Sequence, residues 1–456
     1  MIRVKLFTAS ALLVLFVFLG LGTIVARKIK EASDYTVAGR KAGVSGVAGV
    51  IMGALIGGAS TVGTAQMAYE YGLSAWWFTL GGGIGCLILG WGFASPLRSS
   101  GVVTIPEFLK RHYGRSVSML SMVASSVGTY ISVVAQFLSG VALLQTVFPF
   151  PSFVASIGVA CLILGFLCLG GLKSYSVIGK AKIAMLFLIL TVSVLLGMGK
   201  GVTPSWLYHN IGNKTLFSPF GFGVGKGLGA FLSMIVGIFC TQIYIQGVFA
   251  ASNPDTARKG TLLAGILIPP LGLMGIYIGL FMRTAGVSIV PSQALPMFIR
   301  LYFPPILGGI FWAGILITVV GAAAGLSFGI ATNLVQDFLK ALPYMKMDEK
   351  RALFMSRAAV IFIVLSAAYM GELFSGDMIL QWSYLSMSLR GAGTFFPFIV
   401  ALLFPLQLSP CWALCSAGGG LLAVLIAPFI FTNVPPLFLG LLVSASFSGL
   451  GICLRR

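Results

Sequence analysis

The sequence predicts an all-α polytopic membrane protein of about 13 transmembrane helices. Three observations predict it. Hydrophobic residues make up 58% of the 456-residue chain and charged residues 9%, a balance that soluble domains do not reach. The apolar residues come in long runs separated by short basic clusters, so that a single integral domain over 1–456 accounts for the chain. The net charge of +19 lies in those clusters; no continuous basic stripe or base-stacking module is present, which excludes a nucleic-acid partner.

In chain order, the run 5–26 is too long for a cleaved leader, lacks a small-residue cleavage pattern, and counts as span one. A broken second span follows at about 43–72, then a third at 74–96 opened by the interfacial pair Trp76 and Trp77. The polar segment 97–115 leads to spans at 116–148, 152–172 and 174–198. A loop at 199–225 precedes spans at 226–251 and 258–284, and a proline-containing loop at 285–304 is expected at the surface. The last spans fall at 305–339, 350–371, 376–405, 409–431 and 434–454. Cys86, Cys161, Cys168, Cys240, Cys411, Cys415 and Cys453 sit in or beside these runs without metal-ligand spacing and read as packing residues.

The second span organises the rest. Gly57 and Gly58 each cost a continuous helix about 1 kcal/mol against alanine, yet the stretch is too apolar for a loop and carries Ser60, Thr61, Thr64 and Gln66. A helix unwound at mid-membrane frees carbonyls to hold a cation and amides to hold a solute. Span seven repeats the pattern: in FLSMIVGIFCTQIYIQG, 231–247, Gly237 is the expected interruption and Thr241, Gln242 and Gln246 follow. Interrupted helices opening two halves of a chain are the mark of inverted repeats. Gln66 returns to nearly the face of Ala59 two turns along, and an amide in apolar surroundings needs a partner, which a polar solute would supply.

Other chemistry is thin. Arg390 is the one cation well inside a span, and it is expected to pair with backbone carbonyls or an acid such as Asp377 rather than with solute. His112 and His209 fall on opposite expected faces and build no relay or metal site. Around GVGKG, 223–227, Phe220 and Gly227 stand where a phosphate loop needs glycine and Ser or Thr. Ten acidic residues, mostly in loops, offer no acid/base pair, so no enzyme and no cofactor is expected. Charge bias sets the orientation: with the C-terminus inside, 21 of the 29 Lys and Arg residues lie on the inner side, Lys182 counted among them. That puts the N-terminus outside a plasma membrane.

Several stretches carry a family resemblance: DYTVAGR at 34–40, GGAS at 57–60, YEYGLSAWWF at 69–78, TIPEFLKRHYG at 104–114, GGLKS at 170–174, Gln242 and Gln246 with ARKG at 257–260, and RGAGTFFP at 390–397. In these, over roughly 30–400, the chain resembles the sodium/solute symporter family. The resemblance implies a LeuT-like fold: ten core helices in two inverted five-helix repeats, spans two to six and seven to eleven, within about 43–405, with spans twelve and thirteen appended at about 409–454. It also implies a substrate site lined by Thr61, Gln66, Thr241 and Gln242.

The resemblance further implies a sodium site built from the carbonyls of Ala59 and Val62 with a hydroxyl pair from span nine. Counting back from Asp337 by the family spacing puts that pair at Gly321 and Ala322, which have no side-chain oxygen. Thr318 or Ser327 would enter the site only by a register slip. Gly179 stands where the family tends to place an acid, with Lys180 and Lys182 beside it. Sodium-independent members of the wider superfamily place a basic side chain where the ion would sit, and Lys182 is positioned to do so. The expected function is alternating-access import of a small polar solute, a sugar, amino acid or carboxylate. Sodium coupling is the family default, with proton coupling or exchange as its substitute here and a transporter-derived sensor as the alternative. The expected partners are the solute, the coupling cation and the bilayer, with no obligate protein partner.

Overall fold

Every backbone N–H and C=O inside a bilayer must find a partner within the protein, which forces a chain this apolar into helices. The computed structural model describes residues 2–26, 40–167, 172–338, 349–430 and 434–454, and apart from one isolated bridge, Ala42 to Ala251, these residues contain no β-structure. The helices are α1 Ile2–Ala26, α2 Val44–Leu55, α3 Thr64–Tyr71, α4 Trp76–Ile88, α5 Ala94–Ser99, α6 Ile105–Tyr113, α7 Arg115–Val147, α8 Ser152–Leu167, α9 Leu172–Gly199 and α10 Pro204–Asn210. They continue as α11 Val224–Cys240, α12 Gln242–Phe249, α13 Pro254–Thr284, α14 Ala294–Tyr302, α15 Pro305–Thr332, α16 Glu349–Leu373, α17 Ile379–Leu403, α18 Pro410–Ile430 and α19 Pro436–Cys453. Among the described residues nine helices are long and apolar enough to cross a membrane, and the pair α11 and α12, bent by 48°, makes a tenth. The expected spans fall on these helices, span two as α2 and α3 and span seven as α11 and α12.

The bundle is ordered by burial. α7 and α15 run through its centre, buried along most of their length, whereas α16, α18 and α19 turn apolar side chains such as Phe362, Phe429 and Leu442 outward, as lipid-facing helices do. Small residues set the closest crossings. A Cβ on Gly265 of α13 would stand 2.9 Å from the carbonyl of Gly83 on α4, so those two helices pack backbone to backbone.

One end is tied by polar groups. Ala42 exchanges backbone bonds with Ala250 and Ser252, Arg98 donates to the carbonyl of Ala251 (2.6 Å), and Arg40 donates to that of Gly101 (2.6 Å). There α6 starts on a capping box, Thr104 accepting from the Glu107 amide while the Glu107 carboxylate accepts from Val103. The opposite end is closed by α10, the turn Lys214–Phe217 and α14.

Two expectations need correction. The segment 285–304 is more than a surface loop: Ala294–Tyr302 is helical, and Leu295, Phe298 and Ile299 are buried, with Phe298 edge-on to Phe281. Its prolines obscure an amphipathic period, and Pro296 lies in the first turn, where it displaces no helical bond. Gly237 does not interrupt span seven. It lies inside α11, packed so closely on Met387 that a side chain would clash, and the break falls at Thr241, with φ −96° and ψ 113°.

Candidate functional site

At the first break α2 ends at Leu55, Ile56 turns extended (φ −86°, ψ 96°), and a π-helical turn over Ala59–Gly63 restarts the span. Hydroxyls replace the lost helix bonds. The Gly57 amide donates to Ser60 Oγ (2.9 Å), Thr61 Oγ1 donates to the Gly57 carbonyl (2.7 Å), and the Gly58 amide donates to Gln136 Oε1 (2.7 Å). Both glycines are required by crowding: a Cβ on Gly57 would collide with Ala322, and one on Gly58 with Ser139.

Because the Gly57 amide turns to Ser60, the Gly53 carbonyl loses its helical donor. Lys182 of α9 supplies another, its Nζ 2.6 Å from that oxygen. The side chain is buried, at 3% exposure, and its ammonium caps the C-terminal, negative end of α2. Glycine lets α9 come this close, since a Cβ on Gly179 would meet the Gly49 carbonyl at 2.7 Å. Across the seam, a Cβ on Gly321 would lie 3.4 Å from Lys182 Nζ. Gly321 and Ala322 thus lie beside the break. Thr318 turns its hydroxyl to the Ile315 carbonyl of its own helix (2.7 Å), and Thr64 Oγ1 donates to the Ala59 carbonyl (3.3 Å). Lys182 is therefore not a charge of the inner loops, where the charge count had placed it.

The second break is held in the same way. Thr241 Oγ1 donates to the Gly237 carbonyl (2.6 Å), and Ser125 Oγ donates to that of Cys240 (3.2 Å). Arg390 of α17, fully buried, donates from Nη1 to Thr241 Oγ1 (2.6 Å), from Nη2 to Ser132 Oγ (2.8 Å) and Ser386 Oγ (2.6 Å), and from Nε to the Ser386 carbonyl (3.2 Å). It pairs with a backbone carbonyl, as expected, but not with Asp377, whose carboxylate accepts from Trp382.

One face of α7 joins the two breaks, and single-motif reading missed it. Ser125, Ser132, Gln136 and Ser139 recur at helical spacing, so one stripe reaches Cys240, Arg390 and Gly58 in turn. That spacing was the available signal. Of the four residues expected around solute, Thr61 and Thr241 sit at the breaks. Gln66 and Gln242 face the two ends instead. Gln66 Nε2 donates to the Asp377 carbonyl (3.1 Å) and its Oε1 accepts from Ile379 (3.0 Å), fastening α3 to the start of α17. Gln242 likewise donates to the Val103 carbonyl (3.2 Å) and accepts from Ile105 (3.1 Å), fastening α12 to α6. Gln246, one turn further along α12, is buried with neither end of its amide bonded. A cavity of about 370 Å³ lies between α11, α17 and α19, lined by Tyr71, Lys226, Gln381, Tyr384 and Ser388, and the buried Tyr384 hydroxyl has no partner.

Two helices broken at mid-bundle and bridged by polar groups define a secondary transporter of the inverted-repeat class. The chain belongs to the Sodium:solute symporter family, whose pattern it matches over residues 35–425. It is 23% identical over 363 residues to a sodium/proline symporter of Staphylococcus aureus, across 74% of this chain and 69% of that protein. Among solved structures, a Na+-coupled sialic acid symporter in a substrate-bound outward-open state superposes with a TM-score of 0.77 at 15% identity, covering 98% of this chain and 96% of the other. A manganese transporter of Eremococcus coleocola aligns less closely, with a TM-score of 0.53 at 14% identity over 93% and 95% of the two chains.

The Gln66 geometry makes a prediction. Gln66→Ala strands the buried Ile379 N–H and frees the Asp377 carbonyl, a cost of about 1–3 kcal/mol, so amide hydrogen exchange around Ile379 should speed by roughly tenfold or more while α7 is unchanged. Unchanged exchange at Ile379 would show that the amide does not hold α17 in place.

Proposed function

We propose that this transporter carries a small polar solute, a sugar, amino acid or carboxylate, inward across the plasma membrane by alternating access, and that it does so without a bound sodium ion. The Lys182 ammonium takes the ion's place. The single observation behind this reading is the Lys182 contact with the Gly53 carbonyl (2.6 Å), beside Gly321 and Ala322 where the family resemblance puts hydroxyl ligands. Sodium takes oxygen ligands, and a cation brought within about 4 Å of another is opposed by about 4 kcal/mol at an effective dielectric of about 20. The relatives are named for sodium coupling, which makes the donor set here a departure; proton coupling or exchange replaces it.

Solute would meet Thr61 and Thr241 at the breaks, together with the open amide of Gln246. Gln66 and Gln242 would join only in states where their bonds to α17 and α6 have opened. The cavity beside Tyr384 has the size of a small-molecule site and supports entry from the α10 end.

Two measurements test the proposal. Proteoliposome uptake of whichever labelled sugar, amino acid or carboxylate is carried should persist when choline replaces sodium at fixed pH. A loss of about tenfold or more, some 1.4 kcal/mol, would overturn the sodium-free reading. For orientation, an impermeant thiol reagent applied to intact cells should label Asn213→Cys and spare Arg258→Cys, and the reverse pattern would invert the topology.

A further inference from the structure

Charge in the bundle core is one-sided. Among the side chains the structure describes, the buried charged ones are Lys182 and Arg390, whereas the acids among them, Glu70, Glu107, Asp255, Glu372 and Asp377, all lie outside the buried core. Two ion pairs, Arg111 with Glu107 and Lys259 with Asp255, lie at the surface. Buried cations are ordinarily matched by an acid, so two unmatched ones leave the core ready for negative charge.

Arg390 lies in the better place to receive it. A guanidinium has five N–H donors, and the four hydrogen bonds of Arg390 all go to neutral oxygens: Thr241 Oγ1, Ser132 Oγ, Ser386 Oγ and the Ser386 carbonyl. The hydroxyls pass the burden to backbone, Thr241 donating to Gly237 and Ser386 to Gly128. None of these partners carries a charge, and Thr241 is itself the break residue of span seven, with extended torsions between two helices. One turn along α7 from Ser132, about 6 Å, stands Gln136, whose Oε1 is held by the Gly58 amide and whose NH2 adds donors on the same face. Donors from Arg390 and Gln136 therefore lie between the two breaks, and the planar fork of an arginine matches a carboxylate in particular.

We propose that the solute carries a carboxylate, which Arg390 neutralises in the loaded state with Gln136 beside it, a role beyond the backbone pairing that the sequence suggested for this side chain. This rests on the transporter reading above and narrows its substrate class. It excludes cationic solutes, which Lys182 and Arg390 repel, and it gives the buried guanidinium a counter-charge that none of its four hydrogen-bond partners supplies.

The test uses the full chain in lipid nanodiscs, with choline as the only added cation. Thermal shift is read for three acid and amide pairs, lactate with lactamide, succinate with succinamide and proline with prolinamide, and for chloride. A ligand that binds the folded state raises the melting temperature, so at least one acid should stabilise saturably while its amide does not. Arg390→Gln should weaken that acid by about tenfold or more, and Arg390→Lys by less, since a charged hydrogen bond is lost in the first and partly kept in the second. If Arg390→Gln does not fold, the acid and amide comparison in the wild type and the Arg390→Lys affinity decide the matter. Equal stabilisation by acid and amide, an effect from chloride alone, an acid bound as tightly by Arg390→Gln, or a flat response throughout would each overturn the proposal. An amide that both stabilises and is taken up would sink this inference and leave the transporter reading standing.

Discussion

The carbonyl of Gly53 and the ammonium that caps it set the terms for the rest of the core. A helix that stops inside a bilayer strands its last carbonyls in a medium without water, and each one left bare costs several kcal/mol. In a sodium-coupled transporter the bound ion helps to offset that cost. In this chain the freed Gly53 carbonyl accepts from Lys182, whose Nζ lies 2.6 Å away. Its presence requires a glycine at 179 so that α9 can approach α2, and it tolerates a glycine at 321 because the space is already filled by its own stem.

The same requirement explains the polar face of α7. Each break needs partners for freed backbone groups, and one rigid helix supplies them to both: Gln136 to Gly58 and Ser125 to Cys240, with Ser132 holding Arg390 between them. The two breaks are thus fixed relative to one another through α7. Gln66 and Gln242 perform the complementary task at the ends, each joining a half-helix to backbone of a neighbouring element through a two-point amide contact. Rearrangement at either end must exchange those bonds for others, which gives alternating access a defined polar cost on each side.

Much of this was legible in the sequence because membrane burial acts residue by residue. The Gly57 and Gly58 pair announced the first break, and the three-residue spacing from Gly179 put Lys182 on the same helical face. What could not be read were properties of pairs distant in the chain. Gln66 seemed to belong to solute because its partners, Asp377 and Ile379, lie more than 300 residues away. Gly237 looked like a hinge because Met387, which requires its small size, is equally remote. Thr241, the actual break, showed no propensity signal, since β-branched residues are tolerated in apolar helices. The helix at Ala294–Tyr302 was hidden by prolines that mark its start rather than a loop.

Whether a lysine occupies the place of the coupling ion can be read from equilibrium binding of radiolabelled sodium to the purified protein. With Lys182 in place and no hydroxyl at 321 or 322, no saturable binding is expected in the millimolar range. Saturable millimolar binding by the wild-type protein would contradict this expectation and return the chain to the sodium-coupled pattern of its relatives.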